Sequence, residues 1–252
     1  MNAVTEQSSA WIRRFQPAPA AGTRLVCFPH AGGSATFYLP VARSLAPAVD
    51  VLAIQYPGRQ DRRTEPGIDD LHQLADLVAE ELRAWQDRPV VYFGHSMGAT
   101  LAFEVARRLQ PEGLGPTALV ASGRRAPSCY RPGAVHLGDD AHVVAELRKL
   151  SGTAGNLLDD DEVLQMIMPA LRSDYRAVET YRYQPGPALS CPILMLTGDS
   201  DPEVTPAEAR AWAVHTTAGF ELQTFPGGHF YLNEQAPAVL AAMADYLHPE
   251  SA

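Results

Sequence analysis

The 252-residue sequence lacks any uninterrupted apolar stretch approaching the ~18 residues of a membrane-spanning helix. Its first ten residues are polar and carry no apolar core of a secretion signal. Cytoplasmic residence without membrane contact is therefore the expectation. Cysteine is scarce: Cys27, Cys129 and Cys191 are odd in number and widely spaced. That pattern supplies neither a disulfide framework nor metal-ligand spacing, and it implies a reducing compartment. Cys27 lies in an apolar run and reads as a small core residue. Positive charge is also short, with 20 Lys and Arg against 29 Asp and Glu and a net charge of −9. Nucleic acid is thereby an unsuitable partner. No internal repeat or low-complexity tract appears.

What remains is a globular composition, 46% apolar and 19% charged. The length fits one α/β domain spanning 1–252. Short runs at 24–28, 49–54, 90–93, 118–121, 193–197 and 221–225 read as strands. Most are continuously apolar, as strands covered on both faces are. Helical patterns lie between them, the clearest being Leu71, Leu74, Leu77, Val78, Leu82 and Trp85 after acidic Asp69 and Asp70. The alternation predicts a mostly parallel central sheet flanked by helices, with ligand chemistry at one strand edge. One stretch breaks the rhythm. Between 121 and 193 lies far more chain than one crossover needs. Helical patterns at 139–150 and 161–183, joined by a small-residue linker at 151–156, read as a helical lid inserted at about 126–188. Extra packing around the sheet is the alternative reading.

Chemistry centres on Gly94-His95-Ser96-Met97-Gly98, set between a strand and a helix. Glycines on both sides let strand and helix approach closely and force the serine hydroxyl outward, the pattern of a nucleophile elbow. A serine needs a base and an acid that orients the base. His229, in Phe225-Pro226-Gly227-Gly228-His229, follows the last strand and emerges at the same edge as Ser96. After the preceding strand comes Gly198-Asp199-Ser200-Asp201-Pro202. Asp201 is preferred as the acid because it lies farther along the loop and Pro202 stiffens it. Asp199 then becomes a turn former capping backbone amides. The Met97 amide, and the Ala31 amide in Pro29-His30-Ala31-Gly32-Gly33, are the expected oxyanion donors. His30 and His95 should shape the site by hydrogen bonding, while His136, His142 and His215 read as surface residues.

Together these stretches resemble the type II thioesterases that accompany polyketide synthases and nonribosomal peptide synthetases. The resemblance runs from Trp11 to Leu247. It rests on the blocks at 27–34, Tyr56-Pro57-Gly58-Arg59, 93–104, Ser122-Gly123-Arg124 with Ala126-Pro127, Glu179-Thr180-Tyr181, 198–204 and 225–232. It implies an α/β-hydrolase fold with a mobile helical lid, and a triad at Ser96, Asp201 and His229. It further implies hydrolysis of stalled or wrongly primed acyl groups from the phosphopantetheine arm of a carrier protein, without any cofactor or metal. Medium-chain thioesterases of animal fatty-acid synthesis belong to the same family, and a small-molecule serine esterase would use the same triad.

Several readings follow from that role. Met166, Met168 and Tyr175 on the lid helix are candidate acyl-pocket residues, since flexible methionines suit varied chains. Carrier proteins are acidic, so the basic loops Arg59, Arg62, Arg63 and Arg124, Arg125 are expected to steer the carrier against the overall negative charge. The initiating Met1, short polar start and Glu250-Ser251-Ala252 ending fit a stand-alone, monomeric protein.

Overall fold

The computed structural model describes residues 9–151 and 160–247. Seven strands form one sheet: β1 (Ile12–Arg13), β2 (Thr23–Phe28), β3 (Val49–Ile54), β4 (Val90–His95), β5 (Ala118–Ser122), β6 (Ile193–Gly198) and β7 (Phe220–Phe225). Their order is β1-β3-β2-β4-β5-β6-β7, with β1 antiparallel to β3 and every other pair parallel. Each strand expected from the apolar runs is present. Only β1 lacked a signal, because two residues are too few to show a period.

Burial explains the strand composition. Strands β2 to β6 are buried along their whole length, so both faces demand apolar side chains. Edge strand β7 alternates at its start, which matches one wet face. Helices α1 (Leu39–Leu45), α2 (Leu71–Leu82) and α3 (Met97–Leu109) follow β2, β3 and β4. Asp70 caps α2 by accepting from the Gln73 amide at 2.8 Å. The stripe Leu71, Leu74, Val78 and Leu82 joins α3 residues Leu101, Ala102 and Val105 in a core on one sheet face. The opposite face is covered by Tyr38 and Ala42 with the C-terminal Val239, Met243 and Leu247.

Between β5 and β6 run α4 (Asp140–Ser151) and α5 (Asp161–Thr180). They match the expected helices within three residues at each end, and most of the expected linker, 152–156, lies outside the described residues. Val143, Val144, Met168, Leu171 and Tyr175 form a separate small core between these two helices. The last helices are α6 (Pro206–Arg210), α7 (Tyr231–Glu234), α8 (Ala236–Ala242) and α9 (Ala244–Leu247).

Candidate active site

Backbone geometry singles out Ser96. It joins β4 to α3 at φ 54°, ψ −120°, a sparsely populated conformation for a residue with a side chain. Strain of this kind costs ~1–3 kcal/mol and persists only where surroundings over-determine it. Here they do. A Cβ on Gly94 would run into the Gly98 carbonyl, and one on Gly98 into the Phe28 carbonyl. The Ser96 amide donates to the Ser122 carbonyl at 2.8 Å. From Val91 to Ala106, Ser96 alone is not fully buried, so the turn presents its hydroxyl outward as the glycine spacing predicts.

Two further strand exits converge beside it. A Cβ on Gly198 would strike the Gly227 and Gly228 carbonyls, so the loops after β6 and β7 press directly together. Asp199 ties them as well. Its amide donates to Phe225 O at 2.8 Å, and its Oδ1 accepts from the Gly227 amide at 3.1 Å. That bond, then the Ser200 hydroxyl, holds the Asp199 carboxyl below its usual range. Asp199 is thus a loop tie, as its turn-former reading anticipated. Asp201 is the residue that meets the histidine. Both its oxygens accept from His229 Nδ1 at 3.0 Å, and Oδ1 also takes the Glu203 amide at 2.9 Å. The pair is buried, with 0% of the Asp201 side chain exposed. An imidazole that donates through Nδ1 keeps Nε2 free as an acceptor.

The neighbouring histidines differ from each other. His95 is fully buried, its Nδ1 lies 3.0 Å from Ser122 Oγ, and Ser122 Oγ lies 2.7 Å from the Tyr231 hydroxyl. Burial, then His229 and His30, push its pKa well below the ordinary value. This chain of bonds supports the elbow from behind and has no access to solvent. Among the described residues His30 has no side-chain hydrogen-bond partner, against expectation. Its ring packs edge-on to Phe37 and Phe230 at 4.8 and 5.0 Å, and burial drops its pKa to about 3. His215 corrects the surface reading: it is buried because the rings of Phe103 and Tyr183, from distant segments, pack around it together with that of Trp212.

The loop after β2 is fixed by a residue that no local pattern marks. Asp174, on α5, is buried and accepts the Gly32 amide at 2.7 Å. It also takes Arg59 Nη1 and Nη2 at 2.9 and 2.8 Å, a two-pronged pair. Gly33 N–H goes to the His30 carbonyl at 2.9 Å. Ala31, next to them, lines the same cavity as Ser96. Met97 N–H is a first-turn helix amide with no intrahelical acceptor.

That cavity, of about 170 Å³, is lined by Ser96, Met97, His30, Ala31 and His229 from the sheet edge. Tyr175, Val178 and Glu179 of α5 and Leu147 and Leu150 of α4 close its other side. Tyr175, a candidate acyl-pocket residue, thus lines the Ser96 cavity. Met168 does not, being buried in the core between α4 and α5. Met166 is 60% exposed and lines a different cavity, of about 330 Å³, with Arg63 and Ile167.

The basic loops are corrected too. Arg59 is committed to Asp174, while Arg62 is buried under Trp11 and bonds Glu65 and the Gln55 carbonyl. A buried and paired guanidinium cannot meet a carrier, which leaves Arg63 exposed in that loop. Arg125 pairs with Glu203 at 3.2 Å, and Arg124 lines the Ser96 cavity instead of the outer surface. Among the described residues no cluster of His, Cys, Asp and Glu could hold a metal, and no helix is long and apolar enough to cross a membrane.

The chain matches the thioesterase domain family over residues 23–247. A probable cadicidin biosynthesis thioesterase of Streptomyces griseus is 52% identical over 98% of this chain and 68% of its own length. Thioesterase PikA5 of Streptomyces venezuelae is 48% identical over 95% of this chain and 86% of its own. Among solved structures, the type II thioesterase BorB from the borrelidin biosynthetic cluster superposes with a TM-score of 0.92. It is 57% identical, over 96% of this chain and 100% of that one. Fold, elbow and relatives agree: the chain belongs to the thioesterase family, as a type II thioesterase of the α/β-hydrolase superfamily.

Proposed function

We propose that Ser96, Asp201 and His229 form the triad with which this serine hydrolase cleaves acyl thioesters from the phosphopantetheine arm of carrier proteins, clearing stalled or aberrant acyl groups during polyketide or nonribosomal peptide biosynthesis. The observation that carries the reading is the buried, two-oxygen contact of Asp201 with His229 Nδ1 at the cavity of a strained Ser96. Ser96 Oγ attacks the thioester carbonyl as His229 Nε2 takes its proton. The resulting oxyanion is held by the Met97 and Ala31 amides. Asp201 stabilises the imidazolium, which returns the proton to the departing pantetheine thiolate. Water, deprotonated by His229, then attacks the acyl-serine and releases the carboxylic acid with Ser96 restored.

One chain supplies every proposed catalytic group, which supports a monomer. The three cysteines are free, which supports a reducing, cytoplasmic setting. Residues 126–188 serve as the lid, with Tyr175 in the acyl pocket, within a single domain. Arg63 is the remaining docking arginine, and Arg63→Glu should raise KM for carrier-bound substrates while sparing small thioesters.

The deciding experiment loads a panel of acyl groups on carrier proteins and follows release by intact mass, with matched oxygen esters alongside. Hydrolysis lost in Ser96→Ala and slower on oxygen esters is the expected result. Unchanged turnover in the variant would overturn the mechanism.

A further inference from the structure

Six charged side chains line the cavity that holds Ser96 and His229, the arginines 124, 125 and 131 and the glutamates 146, 179 and 203. Five have partners. Arg125 bonds Glu203 at 3.2 Å, Arg131 bonds Glu208 at 2.7 Å, and Glu146 accepts from Lys149 at 3.2 Å. Glu179 takes His136 Nδ1 together with the amides of Val135 and His136. Among the described residues Arg124 has no hydrogen bond or ion pair to its guanidinium. Glu203 feels its charge but bonds only Arg125.

Arg124 is nevertheless held in place. It follows Gly123 at the end of β5, and its carbonyl accepts from the indole of fully buried Trp212 at 2.8 Å. Burial and the adjacent Arg125 lower its pKa to about 10, which leaves it charged at neutral pH. A second cavity, of about 150 Å³, shares Arg124, Arg125, Arg131 and Val178 as walls. In it the buried Thr100 hydroxyl also has no partner among the described residues. Arg124 is half-buried, so its guanidinium is open to the cavity, and a ligand acceptor there would supply the partner it lacks among the described residues.

We propose that Arg124 is a specificity residue that hydrogen-bonds an oxygen substituent on the acyl chain, so that hydroxylated or keto acyl groups are favoured over plain alkyl ones. This rests on the triad reading above. A neutral oxygen suits the site better than a carboxylate. Three glutamates already balance three arginines there, so a carboxylated acyl group would add a further negative charge to a closed space.

The test compares butanoyl-, 3-hydroxybutanoyl- and malonyl-pantetheine as substrates of the wild type, Arg124→Met and Arg124→Lys. In the wild type kcat/KM should be highest for 3-hydroxybutanoyl. Arg124→Met should lower the ratio of 3-hydroxybutanoyl to butanoyl by about tenfold or more, the worth of one hydrogen bond to a charged group. Arg124→Lys should recover part of that ratio. An unchanged ratio in Arg124→Met, or malonyl as the best wild-type substrate, would overturn the proposal. Should Arg124→Met fail to fold, calorimetry on wild-type protein with the corresponding pantetheine amides decides: the hydroxylated amide must bind more tightly, and equal Kd values would refute it. Ser96-dependent hydrolysis of the butanoyl substrate tests the triad separately, so the two readings can fail independently.

Discussion

The strand exits and the helical segment between β5 and β6 build one cavity by opposite means. After β4, β6 and β7, backbone meets backbone so closely that side chains are excluded, and Ser96, Asp201 and His229 have no freedom to be elsewhere. Helices α4 and α5 instead have their own small core, and α5 meets the rest of the molecule both through Ala177 and Val178, which join the main core, and through polar ties such as Asp174. The proposed reacting groups thus rest on close backbone contacts, while the helical wall of the cavity rests on side-chain packing and polar ties. Such a division lets specificity vary without disturbing the chemistry.

The sharpest way to break this contrast lies at the two aspartates of one loop. Asp201→Asn should cut kcat by about ten-thousandfold through loss of the correct His229 tautomer. Asp199→Asn, which only ties the loops, should cost less than about tenfold on the same carrier-bound substrate. Comparable losses would mean that loop geometry, not the carboxylate, controls the histidine.

The contact between the two regions comes next. Asp174→Asn should lower kcat about a hundredfold with KM little changed, because the loop bearing the Ala31 donor loses its anchor. Removing one partner of a buried pair also costs ~3–5 kcal/mol of stability, whereas replacing both by apolar residues is near neutral. The double variant Arg59→Met/Asp174→Leu should therefore regain Tm without regaining kcat. Recovery of both would reduce the pair to a brace.

Within α5, Met168→Ala should destabilise by ~2–5 kcal/mol, as for other buried large-to-small changes. Exposed Met166→Ala should stay within about 0.5 kcal/mol. Urea unfolding monitored by circular dichroism distinguishes them, and equal midpoints would refute the packing assignment.

The smallest effect concerns pH. Burial, then Arg107, lowers the His215 pKa to about 4, against ~6.5 in the unfolded chain. The unfolded state therefore binds the proton first. Stability from keeping this ring neutral is whole above pH ~6.5, falls as pH drops, and is exhausted near pH 4. Replacing it by His215→Gln should flatten Tm against pH across that window, and an unaltered slope would count against the burial.

Legibility in the sequence followed the same boundary between regions. The elbow and the loops carrying Asp201 and His229 were readable because chemistry, glycine spacing and strand pattern coincide within a few residues. Asp174 was not, since its partners Gly32 and Arg59 stand 142 and 115 positions away. The arginines misled for a related reason: Arg59 and Arg62 look like a solvated cluster until the residues that cover them are known.

Sequence by itself determined the strands, the serine elbow and the thioesterase family, because each depends on local backbone geometry or short-range pattern. Tertiary structure alone decided which cations face solvent, which methionine packs and which arginine of the Ser96 cavity has no partner among the described residues. Burial and pairing depend on contacts between distant segments, and no local periodicity encodes those.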